Sequence, residues 1–252
     1  MIKKIWITGA SSGIGKALAI KFANEGWQVA ASARREKLLK DLNEQNSNIH
    51  SFPLDVKNET ETKNTFQNII KEFDNVDIAV FCTGMHDPDS EIKLNSEKIR
   101  EIMETNFFGT LNCIMAVNNY FRDKKRGHIS IVSSVAGYRG LPAASGYCAS
   151  KSALTSLAES LYFDFKRHNV RVSLVSPGFI KTPMTDKNKF PMPMIKSPEF
   201  AAEKMFIGLT RKNSFEIHFP KSLTIILKIL SFLPNRIYFG LIGKLTKYQK
   251  KN

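Results

Sequence analysis

The 252-residue chain is predicted to fold as one α/β unit, a doubly wound parallel sheet of about seven strands covered by helices on both faces. Three observations predict it. Short Val/Ile-rich runs alternate with amphipathic stretches of helical length, the pattern of a sheet buried on both sides. A glycine-rich turn stands directly behind the first of those runs, and hydrophobic residues at 42% against 24% charged match ordinary globular usage, which excludes a disordered or fibrous chain.

Strands are expected over Ile2–Ile7, Gln28–Ser32, Ile49–Pro53, Val76–Phe81, His128–Ser133, Arg171–Ser176 and Phe215–Phe219. Helix starts are marked between them. Asn58 with Glu61 three residues on has the form of a capping box, and Ser197-Pro198-Glu199 supplies a cap, a first-turn proline and a favourable acid. No repeat or low-complexity tract divides the chain, so residues 1–220 read as one domain, followed by an apolar and basic helical extension over 221–252. Residues 183–197 lack periodicity and read as a long loop at a strand's carboxyl end, where loops commonly carry function.

No uninterrupted apolar run reaches the roughly 18 residues of a transmembrane helix. The apolar stretch Ile5-Trp6-Ile7 is far too short for a secretory signal core. Cys82, Cys113 and Cys148 are widely spaced and odd in number, which points to a reducing, cytoplasmic location rather than disulfides. His50, His86, His128, His168 and His218 show no ligand spacing, so no metal is expected and each reads as an ordinary surface or core histidine.

Behind the first strand comes Thr8-Gly9-Ala10-Ser11-Ser12-Gly13-Ile14-Gly15, leading into a helix near Lys16. Glycine permits the backbone angles of such a turn and lets a pyrophosphate approach main-chain N–H groups, while the helix start offers unpaired donors and partial positive charge. The expected ligand is a nicotinamide dinucleotide. At the end of the second strand the chain reads Ala31-Ser32-Ala33-Arg34-Arg35, with no carboxylate for ribose hydroxyls and two guanidiniums suited to an extra phosphate. NADP(H) is therefore expected, with Arg34 and Arg35 as its readers.

Tyr147 and Lys151 have the i, i+4 spacing that shares one helix face, as do Tyr120 with Lys124 and Tyr162 with Lys166. Only Tyr147 has a serine thirteen residues upstream, Ser134, whereas the others have Phe107 and Ala149 there. A ketone accepting hydride needs a proton on its oxygen. Tyr147 is expected to donate it, Lys151 and an oxidised nicotinamide ring to favour the phenolate, and Ser134 to hold the substrate oxygen. Asn106 is the candidate to position a water behind Lys151.

These motifs, in this order, resemble the short-chain dehydrogenase/reductase family over roughly residues 1–220, which implies a Rossmann-type fold. The resemblance implies cofactor contacts at Gly9, Ser11, Ser12, Gly13, Ile14 and Gly15, an adenine contact at Asp55 followed by Val56, and catalytic roles for Asn106, Ser134, Tyr147 and Lys151. The last group implies cofactor contacts at Asn106, Tyr147 and Lys151 as well. Ser176-Pro177-Gly178-Phe179-Ile180-Lys181-Thr182 resembles the segment that closes over nicotinamide and pyrophosphate, which adds Pro177, Gly178, Ile180 and Thr182. Where the family usually has Asn-Asn-Ala-Gly, this chain has Phe81-Cys82-Thr83-Gly84, so Gly84 is kept as a backbone contact and Cys82 is given no role. Cys148 reads as a small packed residue.

Met184, Phe190, Met192, Met194 and Ile195, with Met85, are expected to line a pocket for an apolar or lipid-like ketone or secondary alcohol. The tail carries seven basic residues (Lys221, Lys228, Arg236, Lys244, Lys247, Lys250, Lys251) and no acid, half of the net charge of +14. Its Lys221–Leu233 segment is apolar nearly all round and needs cover. Peripheral contact with an anionic membrane, a homodimer interface and a lid over the pocket all satisfy that need. The reading that results is an NADP-dependent carbonyl reductase, cytoplasmic or peripheral at a membrane, with no nucleic-acid partner. The competing one is a non-catalytic NADP-binding redox sensor, which would not need the four catalytic positions this chain keeps.

Overall fold

The computed structural model describes residues 2–188 and 191–246. Its strands are β1 (Lys4–Thr8), β2 (Gln28–Ala33), β3 (Ile49–Pro53), β4 (Ile78–Phe81), β5 (His128–Val132), β6 (Arg171–Pro177) and β7 (Glu216–Phe219). They form one sheet in the order β3-β2-β1-β4-β5-β6-β7 with every neighbouring pair parallel. All seven expected strands are present. β1 starts at Lys4 rather than Ile2 because pairing with Gln28 begins there, and Ile2 lies exposed. β4 starts at Ile78 because Val76 gives its N–H to the Tyr120 hydroxyl instead of to a strand.

The helices are α1 (Gly13–Asn24), α2 (Glu36–Gln45), α3 (Glu59–Phe73), α4 (Pro88–Ile92), α5 (Ser96–Met103), α6 (Gly109–Lys124), α7 (Ser145–Lys166), α8 (Pro198–Thr210), α9 (Lys221–Ser231) and α10 (Asn235–Leu245). One face of the sheet is covered by α1, α2 and α8, where Leu18, Phe22, Leu39 and Phe206 meet Ile5, Ile7 and Val29. On the other face α3, α6 and α7 bring Phe66, Ile69, Val117, Phe121 and Leu154 against Trp6, Phe81 and Ile129. Every residue of β4 and β5 is buried, as a strand sandwiched between two helical layers requires.

Helix starts follow the sequence signals with one difference. Asn58 accepts the Glu61 N–H at 3.0 Å and Ser197 accepts the Phe200 N–H at 3.2 Å. The Glu61 carboxylate, however, does not return to Asn58. It accepts the Asp55 N–H at 3.1 Å, so the second arm of the box ties α3 to the end of β3. Strand order reverses between β1 and β4, and at such a switch point the loops leaving the carboxyl ends diverge to open a crevice.

After β7 the tail folds back as α9 and α10 rather than standing apart. Leu223, Thr224, Tyr238 and Ile242 are buried against the domain. Arg139 fixes the elbow between the two helices, donating to the Ser231 carbonyl at 3.1 Å and the Leu233 carbonyl at 2.6 Å and also to Asn235 Oδ1, with its guanidinium 4.0 Å from the Tyr238 ring centre. Tyr238 in turn donates its hydroxyl to the Gly140 carbonyl at 2.8 Å. Among the described residues no helix is long and apolar enough to cross a membrane.

Candidate active site

The motif residues gather at the carboxyl edge of the sheet because each follows a parallel strand: the glycine turn after β1, Arg34 and Arg35 after β2, Asp55 and Val56 after β3, Gly84 after β4, Ser134 after β5, and Gly178 to Thr182 after β6. Two glycines make the turn feasible. Gly9 has φ of 71°, and a Cβ there would lie 2.9 Å from the Cys82 carbonyl, so only glycine lets this turn abut the β4 loop. At Gly15 a Cβ would sit 2.3 Å from the Gly9 oxygen, and its absence seats the start of α1 directly on the turn.

Ser12 occupies the N-cap of α1 without a side-chain cap, which leaves the first-turn N–H groups for a ligand. Arg35 lies across the same turn, donating from Nε and Nη2 to Ser11 Oγ at 3.1 and 2.8 Å and from Nη2 to Ser12 Oγ at 2.6 Å. Arg34 is exposed beside it. Thr182 closes the opposite side, its Cγ2 standing 3.0 Å from where a Gly13 Cβ would be. A bare helix start, a turn that side chains would fill, and a guanidinium held over both form a cradle that fits the diphosphate of a dinucleotide. Asp55 accepts the Lys57 N–H at 3.1 Å at the far end, and Val56 is buried against Gly109. The Ile14 and Ile180 side chains pack with the core, so these positions would offer backbone to a cofactor.

Below the cradle the structure brings Asn106, Ser134, Tyr147 and Lys151 together. Lys151, on the same helix as Tyr147, is buried and donates Nζ to the Val132 carbonyl at 2.9 Å. Ser134 caps a short turn after β5, accepting the Ala136 N–H at 3.1 Å, and its side chain hydrogen-bonds Tyr147. Burial pushes the Lys151 ammonium down to about 8 and the Tyr147 hydroxyl up to about 12, with the Ser134 hydrogen bond pulling the latter back. Desolvation is thus the largest influence on Tyr147, and the expected acidification by Lys151 is not among the effects that act on it.

Asn106 differs from expectation in its detail. It is buried in a π-helical turn, Glu104–Phe108, and both ends of its amide are engaged: Oδ1 accepts the Met85 N–H at 2.7 Å, and Nδ2 donates to the Met85 carbonyl at 3.0 Å and to Ser150 Oγ at 2.9 Å. The side chain therefore clamps the Gly84–Met85 backbone to α7. Gly84 fits between them, a Cβ there lying 3.5 Å from Lys151 Nζ.

The other two Tyr-Lys pairs stand away from this group. Lys124 reaches the Tyr120 hydroxyl at 2.9 Å on the surface, and Lys166 lies over the Tyr162 ring. Burial raises the Cys82 and Cys148 thiols near Tyr147 to about 11, which disfavours the thiolate that a nucleophilic role needs.

Ser134 and Tyr147 open into a cavity of about 590 Å³. Met184, Met192 and Met194 line it as expected. Ile195 and Met85 do not, the first lying 39% exposed beside the Ile180–Lys196 bridge and the second held through its backbone by Asn106. Phe190, like the tail lysines 247, 250 and 251, lies outside the described residues. Much of the remaining wall comes from the tail, the pocket lid being one of the three covers the sequence left open: Leu223, Ile226, Leu227 and Leu230 of α9 with Ile242 and Leu245 of α10. The tail is a side of the chamber, and Gly178 allows it, since a Cβ there would lie 2.9 Å from Leu223 Cδ2.

Sequence reasoning also passed over His86 and Glu91. Both are buried, His86 Nδ1 is 2.7 Å from Glu91 Oε1, and Glu91 Oε2 accepts the Tyr147 N–H at 3.0 Å. The N-cap position of α7 is Ala144, which has no capping side chain, so Glu91 caps the helix from α4. Nothing in the local sequence marks a cap supplied from 56 residues away.

A family model described as short chain dehydrogenase matches residues 3–191. An uncharacterized oxidoreductase of Myxococcus xanthus is 34% identical over 92% of this chain and 93% of its own length. The 3-oxoacyl-[acyl-carrier-protein] reductase FabG of Thermotoga maritima is 27% identical over 83% of this chain and 91% of its own. A short-chain dehydrogenase from Streptomyces avermitilis superposes with a TM-score of 0.81 at 21% identity, covering 99% of both chains. The NADP-bound structure of ElxO superposes at 0.77 with 25% identity over 86% of this chain and 98% of that one. By sequence and by fold, the chain belongs to the short-chain dehydrogenase/reductase family of oxidoreductases.

Proposed function

We propose that the protein is an NADPH-dependent reductase of an apolar or lipid-like ketone, running in reverse as a dehydrogenase of the secondary alcohol, and that it works against an anionic membrane surface. One observation carries this reading: Ser134 and Tyr147 open into a chamber lined mostly by apolar side chains, methionine, leucine and isoleucine foremost, with only a few polar ones such as His86, Thr185 and Asn188. Such a chamber favours a long apolar guest over a sugar or a charged acid.

The cradle residues would hold the dinucleotide, with Arg34 and Arg35 reading the 2′-phosphate through charge-assisted hydrogen bonds. When bound, the reduced nicotinamide supplies the hydride. Ser134 Oγ and the Tyr147 hydroxyl both donate to the substrate oxygen, which fixes its position. Tyr147 then releases its proton to that oxygen as negative charge builds there, and the Lys151 ammonium stabilises the phenolate left behind. Asn106 keeps the Gly84–Met85 loop after β4 and α7 in register, so Lys151 stays beside Tyr147. A mere sensor would have no need of this buried set.

The two helices that wall the chamber support the membrane part. Their outer sides expose Ile225, Ile229, Phe232, Ile237 and Phe239, with Phe232 88% exposed. Lys221, Arg236 and Lys244 are exposed among them, and no acid occurs from 221 to 252. Apolar side chains ringed by unopposed cations suit an anionic bilayer, each cation contributing about 1 kcal/mol. The 3-oxoacyl substrate named for the Thermotoga maritima relative is an acyl-chain ketone, chemistry of the same kind.

The test is a panel of ketones of rising chain length, with consumption of NADPH and of NADH followed by absorbance, with and without anionic vesicles. Turnover rising with chain length and with vesicles, and preferring NADPH, is expected. Turnover confined to small polar ketones would overturn the reading.

A further inference from the structure

Next to Ser134 and Tyr147 lies an acid–base pair that the proposed reaction does not use. The side chains of His86 and Glu91 are 6% and 0% exposed, yet His86 forms part of the chamber wall. Its imidazole packs on the Tyr147 ring with centres 4.7 Å apart. Glu91 holds the Nδ1 side of that imidazole, and among the described residues Nε2 has no partner.

Glu91 occupies one ring nitrogen and leaves the other to the cavity wall. Whichever partner holds the shared hydrogen, every arrangement of the pair without net charge keeps a hydrogen on Nε2, and a net charge in a mostly apolar wall is heavily penalised. Nε2 is thus the donor of the pair. A donor in a mostly apolar wall, set against the ring of Tyr147 and so nearer the reacting oxygen than a guest's distant end, suits a second oxygen on the same guest.

We infer that His86, held by Glu91, is a specificity-determining residue whose Nε2 hydrogen-bonds a second acceptor oxygen a few bonds from the reacting carbonyl. The substrate class is thereby narrowed to apolar-chain ketones bearing a neighbouring carbonyl or ester oxygen. This inference rests on the reductase reading.

The experiment compares kcat/KM for a long-chain 3-oxo ester and for the monoketone of equal length, using the full chain with NADPH. Wild type is expected to favour the oxo ester by about tenfold or more, and His86→Leu to bring the ratio to within about twofold of unity. His86→Gln, whose amide nitrogen reaches the place of Nε2, should restore part of the preference, and the shorter His86→Asn should not. NADPH fluorescence titration identifies folded variants, and if His86→Leu is not among them the Gln and Asn pair gives the same comparison. A wild type that consumes both ketones without preference, or a preference surviving in both the Leu and Asn variants, overturns the role of His86 while leaving the reductase reading intact. No consumption of either ketone overturns the reductase reading and this inference with it.

Discussion

Glu91 Oε2 accepts the backbone N–H of Tyr147 at 3.0 Å, so the helix that carries the proton donor is anchored by a carboxylate from a different helix. Loss of a cap costs about 1 kcal/mol, and leaving the buried His86 Nδ1 without its partner adds to that. Glu91→Ala is therefore expected to lower the melting temperature by several degrees and to reduce kcat more than NADPH affinity, because α7 holds Tyr147 and Lys151 but not the glycine turn. Calorimetry alongside steady-state kinetics checks it, and a loss confined to NADPH binding would contradict it.

Tyr147→Phe removes one oxygen and little volume. A drop in kcat of about 10²- to 10⁴-fold is expected, with NADPH affinity nearly unchanged. Single-turnover absorbance decay read against a fluorescence titration separates the two, and undiminished turnover would remove Tyr147 from the mechanism.

Arg35 is already oriented by Ser11 and Ser12, so an arriving phosphate meets a guanidinium that has lost its freedom in advance. Arg35→Ala is expected to weaken NADPH by about 10- to 100-fold, the range of a charge-assisted hydrogen bond, and to leave NADH almost untouched. Equal losses for both cofactors would show that the arginine shapes the turn rather than reading the phosphate.

The pH dependence follows from Lys151. Its ammonium is held down to about 8, so the charge is present below that pH and is lost as pH rises through it, while Tyr147, near 12, stays protonated across the window. Ketone reduction is expected to be level at neutral pH and to fall with the loss of one proton near pH 8. A pH profile of kcat/KM measures this, and a Lys151→Met variant should show low activity without that limb. Reduction that climbs between pH 7 and 9 would run against it.

For the membrane surface, point changes on the outer side are better than truncation, because the tail also walls the chamber. Ile229→Asp and Phe232→Asp each place a negative charge where a bilayer is expected, and a loss of about tenfold in co-sedimentation with anionic vesicles is predicted for each. Turnover of a short water-soluble ketone serves as the control for folding. Unchanged sedimentation in both variants would remove the membrane from the reading.

The seven strands and the cradle were legible because both are local. Strand runs carry their own periodicity, and the requirement for Gly9 is written in a turn whose angles only glycine adopts. Ser134, Tyr147 and Lys151 could be found because β5 and α7 are consecutive elements, so their spacing along the chain is nearly fixed by the fold. What remained hidden is what the topology brings in from afar. The capping of α7 by Glu91, the stacking of His86 on Tyr147 and the closure of the pocket by α9 and α10 depend on how separate elements meet, and no single window of sequence contains both partners. The tail was recognised as needing cover, but whether lipid, a second subunit or the pocket provides it could be read only from which residues turn inward.

That arrangement ties two properties to one stretch of chain. Leu223, Leu227 and Leu230 look into the cavity, while Ile225, Ile229 and Phe232, interleaved with them, look out. Since neighbouring positions on eleven-residue helices serve opposite sides, a substitution that tunes the fit of a guest shifts the outward surface by a fraction of a turn. Where the catalyst resides and what it accepts are thus inherited together, and re-engineering one without the other demands paired changes.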